Sequence, residues 1–309
     1  MNLSFSQVAQ LWKEEKRLYV KKSSYAVYAL LLQRHILPRF GGGAAPEEAA
    51  VQAWVNGMLA KGYSIKTVKD CLLVLKMVRR HGARLGAWPQ DDCQIHFPSV
   101  SGQKSVPAVL SRHEQRKLID YLQEHFSFRN LGILICLQSG LRIGEVCGLQ
   151  WQDLDTRSGV LRVRRTVQRI YLADGAVKEY TISIGTPKTA SSLRDIPLSR
   201  ELLARIRPLT KLMRPQDYVL SNSPEPLEPR YYRDYYHKLL LSLDITPLRF
   251  HSLRHSFATR CIEGRCDYKT VSAILGHASI ATTMDLYVHP GLDDKRRCIE
   301  RMARCLKAY

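Results

Sequence analysis

Apolar positions recur at helical spacing through the first hundred residues. Phe5, Val8 and Leu11/Trp12 form a first stripe. Ser23 or Ser24 fits the cap of a second helix, YAVYALLLQRHIL, which Pro38 and the run Gly41-Gly42-Gly43 should stop. Pro46-Glu47-Glu48 opens a third, because proline suits a first turn and acids suit a helix N-terminus; Gly62 ends it. Ser64 caps a fourth, IKTVKDCLLVLKMVRRHG, with Val68, Cys71/Leu72, Leu75 and Val78 on one stripe. Lys66, Lys69, Lys76, Arg79 and Arg80 lie mostly off that stripe.

Periodicity lapses in FPSVSGQKSVPAV, which begins at Phe97. The reading is a helical domain over residues 1–98, a linker over 99–109, a second domain over 110–290 and a tail over 291–309. Ser111 and Glu114 form a capping box at the start of the second domain. LGILICLQSG is an apolar helix closed by Gly140. GVLRVRRTVQRIYL and VKEYTISIG then alternate and are β-branched, with a turn at Ala173–Ala176. LRDIPLS is a third strand, and the chain is helical again from Arg200. The fold class is mainly α with a small antiparallel β-sheet inserted in the second domain.

Charge narrows the partner. Of 309 residues, 47 are Lys or Arg and 28 Asp or Glu, a net charge of +19. A polyanion is implied, nucleic acid first and an acidic membrane surface second. The hydrophobic share of 45% supports a real core. No apolar run approaches the roughly 18 residues of a spanning helix, and MNLSFSQVAQLWKEEKRL becomes charged too early for a signal peptide. Eight scattered cysteines without a CxxC pair read as reduced packing residues in a cytoplasmic protein, not as a zinc site. The basic face of the fourth helix is either a solvated face or a track for a phosphate backbone.

Several positions can carry chemistry. Arg142 and Glu145, three apart, are either a surface pair or a carboxylate fixing a guanidinium fork for phosphate. Lys188 lies in a turn, as decoration or as a mobile proton donor. His251 and Arg254 share a helix face in HSLRHSFATR. His251 and His255 have zinc-helix spacing, but Ser252 stands where that motif needs glutamate, so a metal site is rejected. CDYKTVSAILGHASIATTMDLYVHP reads helix–turn–helix, with Asp267 and Ser279 as caps and Gly276 left-handed at the first C-terminus. His277 falls in its turn and Tyr287 near its end.

In order, these motifs are SGLRIGEVCGLQW, TPKTASSLRDIPL, HSLRHSFAT, ILGH and TTMDLY. Together they resemble the catalytic domain of the tyrosine recombinases, the phage integrase family, over roughly residues 107–290. The helical region before them is similar to that family's core-site-binding domain, and the form is compact, without an arm-binding domain. The resemblance implies a site-specific DNA recombinase that breaks and rejoins strands through a 3′-phosphotyrosine at Tyr287. It implies Arg142 and Arg254 as the phosphate clamp, Lys188 as the acid for the leaving oxygen, and His251 as base or orienting group for the tyrosine. His277 would donate to a phosphate oxygen, Glu145 would orient a cation, and His255 would support the site from behind. The arginines take the place of a metal, so no metal or cofactor is implied. Implied partners are double-stranded DNA with paired inverted-repeat core sites, copies of the chain in a DNA-bound tetramer, and an accessory directionality factor; the implied setting is cytoplasmic and nucleoid-associated, for a protein of bacterial or phage origin. In the tail, Ile299, Met302 and Leu306 form a stripe that either packs on its own domain or docks on a neighbouring subunit. A non-catalytic helix-turn-helix regulator would leave Arg142, Lys188 and HSLRH without a joint purpose; a type IB topoisomerase would share the chemistry without paired sites.

Overall fold

Side-chain caps set where many of the helices start. In the computed structural model, which describes residues 3–90, 93–98, 107–171, 180–187, 190–287 and 292–307, the chain divides into two compact units. Residues 1–103 with 170–181 make the first, and 104–169 with 182–309 the second.

The first unit is built from α1 (Phe5–Tyr19), α2 (Lys22–Leu31), α3 (Leu37–Phe40), α4 (Glu48–Ala60) and α5 (Ile65–Arg84). Ser4 and Ser64 accept from the third helical N–H of α1 and α5, satisfying donors that have no partner within the helix. Phe5, Val8 and Trp12 of α1 are buried with Val74, Leu75 and Val78 of α5. Each such side chain contributes about 1.5–3 kcal/mol when removed from water.

Two expectations change here. Neither Ser23 nor Ser24 caps α2, which starts at Lys22 after Lys21 with no side-chain cap. Nor does Pro38 stop the helix. A π-helical turn, Leu32–Ile36, links α2 to α3, and Pro38 sits in the first turn of α3. The helix runs on through that turn, and the chain turns only at Gly41. The carbonyls of Gly41 and Gly43 then accept from Ser6 N and Phe5 N at 3.2 and 2.7 Å, serving the first turn of α1.

The second unit begins with α6 (Arg112–Glu124), whose Ser111–Glu114 capping box is formed, and α7 (Phe128–Ser139), almost wholly buried. Gly140 ends α7 at φ 65°. A Cβ there would lie 2.7 Å from both Phe257 and Leu275, so glycine is required by conformation and by space. After α8 (Ile143–Cys147) come, among the described residues, five strands: β1 (Leu154–Asp155), β2 (Val160–Val163), β3 (Thr166–Tyr171), β4 (Tyr180–Gly185) and β5 (Arg194–Pro197). They form two sheets, not the one expected. β1, β2 and β5 make an antiparallel three-stranded sheet in that order, and β3 pairs with β4. The alternating run from Gly159 breaks at Arg164-Arg165, which anchor instead to Asp195 and Asp153. The expected turn at 173–176 lies outside the described residues.

Helices α9 (Arg200–Thr210), α10 (Pro229–Ser242), α11 (His251–Glu263), α12 (Tyr268–Leu275), α13 (Ile280–Tyr287) and α14 (Leu292–Lys307) complete the unit. Its core gathers Leu118, Ile133, Ile135, Tyr232, Tyr236 and Leu253. In α14, Ile299 and Met302 are exposed, so the tail's stripe is not packed on its own unit at those positions. Among the described residues no helix is long and apolar enough to cross a membrane, and no cluster of His, Cys, Asp or Glu could hold a metal ion.

Candidate active site

Helices α8, α11, α12 and α13, with β5, bring the site together. Arg142 caps α8 immediately after Gly140 and Leu141. Its backbone N–H donates to Glu145 Oε2 at 2.9 Å and its Nη1 to Oε1 at 2.8 Å. Its Nη2 reaches the Gly276 carbonyl, 3.2 Å away and 134 residues later. The Arg142–Glu145 pair is therefore a built feature and not surface decoration.

Glu145 is buried and has a second cation. Arg194 of β5 donates from Nη1 to Oε1 at 3.1 Å and from Nη2 to Oε2 at 3.0 Å. Burial works to raise the Glu145 pKa. The hydrogen bond and charge of Arg194, then those of Arg142, outweigh it and hold the carboxyl below its ordinary value. Arg194 was not singled out by sequence. Its signal was available: in LRDIPL the inward positions are Arg194 and Ile196, and an arginine at a core-facing strand position needs a buried partner.

Arg254 is only 1% exposed, on the inner side of α11 beside Leu253 and Ala258. Nη1 donates to the Gly140 carbonyl at 2.9 Å. Nη2 is buried and has no hydrogen-bond partner among the described residues. Burial, and after it the charge of Arg142, pushes the pKa down to about 9, which still leaves the group protonated at neutral pH. A buried guanidinium with an unused donor costs free energy unless an acceptor arrives.

The histidines are placed as follows. His255 Nδ1, not His251, lies 2.6 Å from the Tyr287 hydroxyl. His251 instead meets the edge of His255, with ring centroids 4.6 Å apart. His251 keeps an exposed surface, yet the dense protein around it, followed by the charges of His255, Arg254 and Arg142, pushes its pKa down to about 4. His277 pairs Nδ1 with Thr283 Oγ1 at 2.8 Å, and burial followed by Arg254 and Arg142 pushes it to about 4 as well. Burial raises the Tyr287 pKa while Arg254 and Arg142 act to lower it. The site thus holds neutral imidazoles and a neutral phenol among guanidiniums. Seven of the candidate residues gather here: Arg142, Glu145, His251, Arg254, His255, His277 and Tyr287. Lys188 lies outside the described residues.

The α5 residues form a separate group on the first unit. Lys66 pairs with Asp70 at 2.9 Å, and Lys69 lies over the Phe97 ring. Lys66, Lys69 and Arg80 are exposed and Lys76 is half-buried. Arg79 departs from the expectation: it is 7% exposed, and Nη1 donates to Cys93 Sγ. It belongs to the interior of the helical unit because its position falls one residue from Val78 on the buried side of α5.

Known proteins resemble the chain in sequence and in fold. The family model for the N-terminal SAM-like domain of phage integrases matches residues 4–42. The chain is 27% identical over 274 residues to a XerC-like tyrosine recombinase of Caldanaerobacter subterraneus subsp. tengcongensis, covering 82% of this chain and 69% of that protein. It is 28% identical over 272 residues to the tyrosine recombinase XerC of Halalkalibacterium halodurans, covering 86% and 84%. In fold it is similar to the Tn1549 transposon integrase solved with transposon right-end DNA, at TM-score 0.75 and 22% identity over 97% of this chain and 100% of that one. The phage integrase family model itself matches residues 108–292, the span that carries the seven clustered residues around Tyr287, and the chain belongs to that family.

Proposed function

We propose that the chain is a site-specific DNA recombinase in which Tyr287 attacks a phosphodiester and forms a 3′-phosphotyrosine with release of a 5′-hydroxyl. The observation that carries this reading is the buried, half-used guanidinium of Arg254 in the same cluster as the Tyr287 hydroxyl. A phosphodiester supplies the acceptor that Arg254 Nη2 lacks. Arg142 takes the other side of the phosphate, held in place by Glu145. Charge that builds on the non-bridging oxygens meets donors already in position, with no reorganisation at the moment of reaction.

Neutral His255 can accept the phenolic proton as the Tyr287 oxygen bonds to phosphorus, and His251 supports that ring. His277, its Nδ1 tied to Thr283, offers its other ring nitrogen to a phosphate oxygen. Lys188 donates the proton that lets the 5′ oxygen leave. Attack by a 5′-hydroxyl of a partner strand reverses the chemistry and conserves the bond energy. Residues 1–98 hold the core site, with Lys66, Lys69, Lys76 and Arg80 along the phosphates; 110–290 carry the reaction. The substrate is double-stranded DNA with paired inverted repeats, bound by a tetramer whose tails 291–309 pass between subunits. An accessory factor sets direction.

The test uses a duplex selected by the Tyr287→Phe protein from a randomised pool and nicked so that the cleaved fragment diffuses away. Wild-type protein should become covalently attached to it at Tyr287. An adduct formed equally by Tyr287→Phe would sink the assignment.

A further inference from the structure

Arg194 reaches three elements from one buried position. It stands on β5 opposite Val163 of β2, in line with the buried Ile196. Both terminal nitrogens donate to Glu145 of α8, Nε donates to the Ile274 carbonyl of α12, and Nη1 also reaches the Ser192 carbonyl at 3.0 Å. Gly276 lies against it so closely that a Cβ there would sit 3.1 Å from Arg194 Cδ and 3.2 Å from Nη1.

The carboxylate of Glu145 is therefore shared. Oε1 accepts from Arg142 Nη1 and Arg194 Nη1; Oε2 accepts from the Arg142 backbone and Arg194 Nη2. Arg142 spends only one side-chain nitrogen on the carboxylate, and the other goes to Gly276 O. Both guanidiniums also hold carbonyls at the C-terminal end of α12, where cations are favoured, and His277 follows directly.

We propose that Arg194 is a positioning residue for the transesterification: it fills and neutralises Glu145, so that Arg142 stays split between Glu145 and the Gly276 carbonyl with its remaining N–H groups left for the phosphate, and the Gly276–His277 turn stays in place. This rests on the reading of the reaction given above. Without Arg194, Glu145 would be a buried carboxylate with one counter-ion and two unfilled acceptor positions. The Arg142 fork would close onto it in the bidentate geometry that guanidinium and carboxylate prefer.

The proposal predicts a change in pH dependence that a brace alone would not give. The charged or titratable groups facing Glu145 are Arg142, Arg194, Arg254, His251 and Cys136. Of these Arg194 does most to hold the carboxyl ionised against burial. Its loss raises the Glu145 pKa, and protonated Glu145 no longer directs Arg142.

The experiment measures single-turnover adduct formation on the selected nicked duplex from pH 5 to 8.5. Arg194→Gln should be slower at every pH and gain an acidic limb, falling about tenfold per pH unit below the raised pKa. Arg194→Lys should recover the wild-type pH profile through its charge but not the full rate. Arg194→Gln/Glu145→Gln should lose the limb, because no carboxylate is left to titrate. An Arg194→Gln profile parallel to wild type, in rate or in shape, overturns the role. If Arg194→Gln does not fold, Arg194→Lys decides: wild-type rate overturns the proposal, and a lowered rate with unchanged pH profile supports it. A wild-type protein that forms no adduct overturns the reading of the reaction itself, and so separates the two failures.

Discussion

The Tyr287 hydroxyl is 2.6 Å from Nδ1 of His255 and is positioned by that residue, while His251 packs edge-on against the same imidazole. The two histidines of HSLRH are thus in ring contact on one face of α11, one turn apart. His255→Phe keeps the ring volume and removes the proton acceptor, and adduct formation should fall by about a hundredfold or more. His255 has its pKa lowered by burial and then by Arg254, so its neutral form persists below the pH at which a free histidine protonates. A single-turnover rate in His255→Phe equal to wild type would remove it from the reaction and return the tyrosine to His251.

Arg254 should trade stability for activity. Replacing it with Met fills similar space and removes a buried charge whose Nη2 has no hydrogen-bond partner among the described residues. Thermal unfolding of Arg254→Met should be unchanged or higher than wild type, since a poorly satisfied buried charge contributes little to the fold. Adduct formation should drop by about a hundredfold to a thousandfold, the scale of losing a donor aimed at transition-state charge. Strong destabilisation would mean that the bond to the Gly140 carbonyl matters more to the fold than the unused donor costs it.

The imidazoles make the DNA-free fold sensitive to acid. His251 and His277 are both pushed from an ordinary 6.5 to about 4. The fold favours their neutral forms, so the stability this contributes is fully present above about pH 6.5 and is lost as pH falls through about 4. Urea midpoints should decline from pH 6.5 to 4. His277→Asn, which keeps a hydrogen-bonding side chain without a titrating ring, should decline less steeply; an identical slope would place the acid sensitivity elsewhere.

Gly276 stands at φ 66° with Ser191 O 2.8 Å from where a Cβ would be. Gly276→Ala adds left-handed backbone strain of about 1–3 kcal/mol to that collision. Chemical unfolding should show a loss of at least this size. Adduct formation should fall as well, because the same turn carries His277 and accepts from Arg142.

On α5, the exposed cations and the buried one should separate by experiment. Lys69→Ala, Lys76→Ala and Arg80→Ala should each weaken DNA binding and flatten its salt dependence by about one counterion per lost phosphate contact. Arg79→Ala should leave the slope alone and lower stability, because Arg79 lies inside the helical unit. A slope change for Arg79→Ala would place it on the phosphates after all.

What sequence made legible was local. The caps at Ser64, Ser111 and Asp267 and the left-handed glycines at 140 and 276 depend on chemistry within a few residues, and all are formed. His251 and Arg254 were legible because a helix brings residues three apart together. Arg194 was not, because its carboxylate partner lies 49 residues earlier in the chain and only the fold joins them. The division of the strands into two sheets was hidden in the same way: the run breaks at Arg164-Arg165, whose acids, Asp195 and Asp153, lie on other elements. Which of His251 and His255 lies against Tyr287 turned on ring orientation, which spacing alone does not encode.

The π turn at Leu32–Ile36 fixes more than a bend. A π turn holds one residue more than the α-helix around it, so the chain beyond it is rotated back by about a quarter turn. Phe40, which packs edge-on against Trp54 at 5.4 Å, lies beyond that turn, and so does the glycine loop whose carbonyls receive the first N–H groups of α1. The extra residue therefore acts as a phase setting for a contact made some thirty residues earlier in the chain. Deleting one residue from 32–36 would leave a regular helix, and by its own geometry that helix would swing the Gly41–Gly43 carbonyls away from α1. A change that makes one helix more ideal would unfasten the start of another.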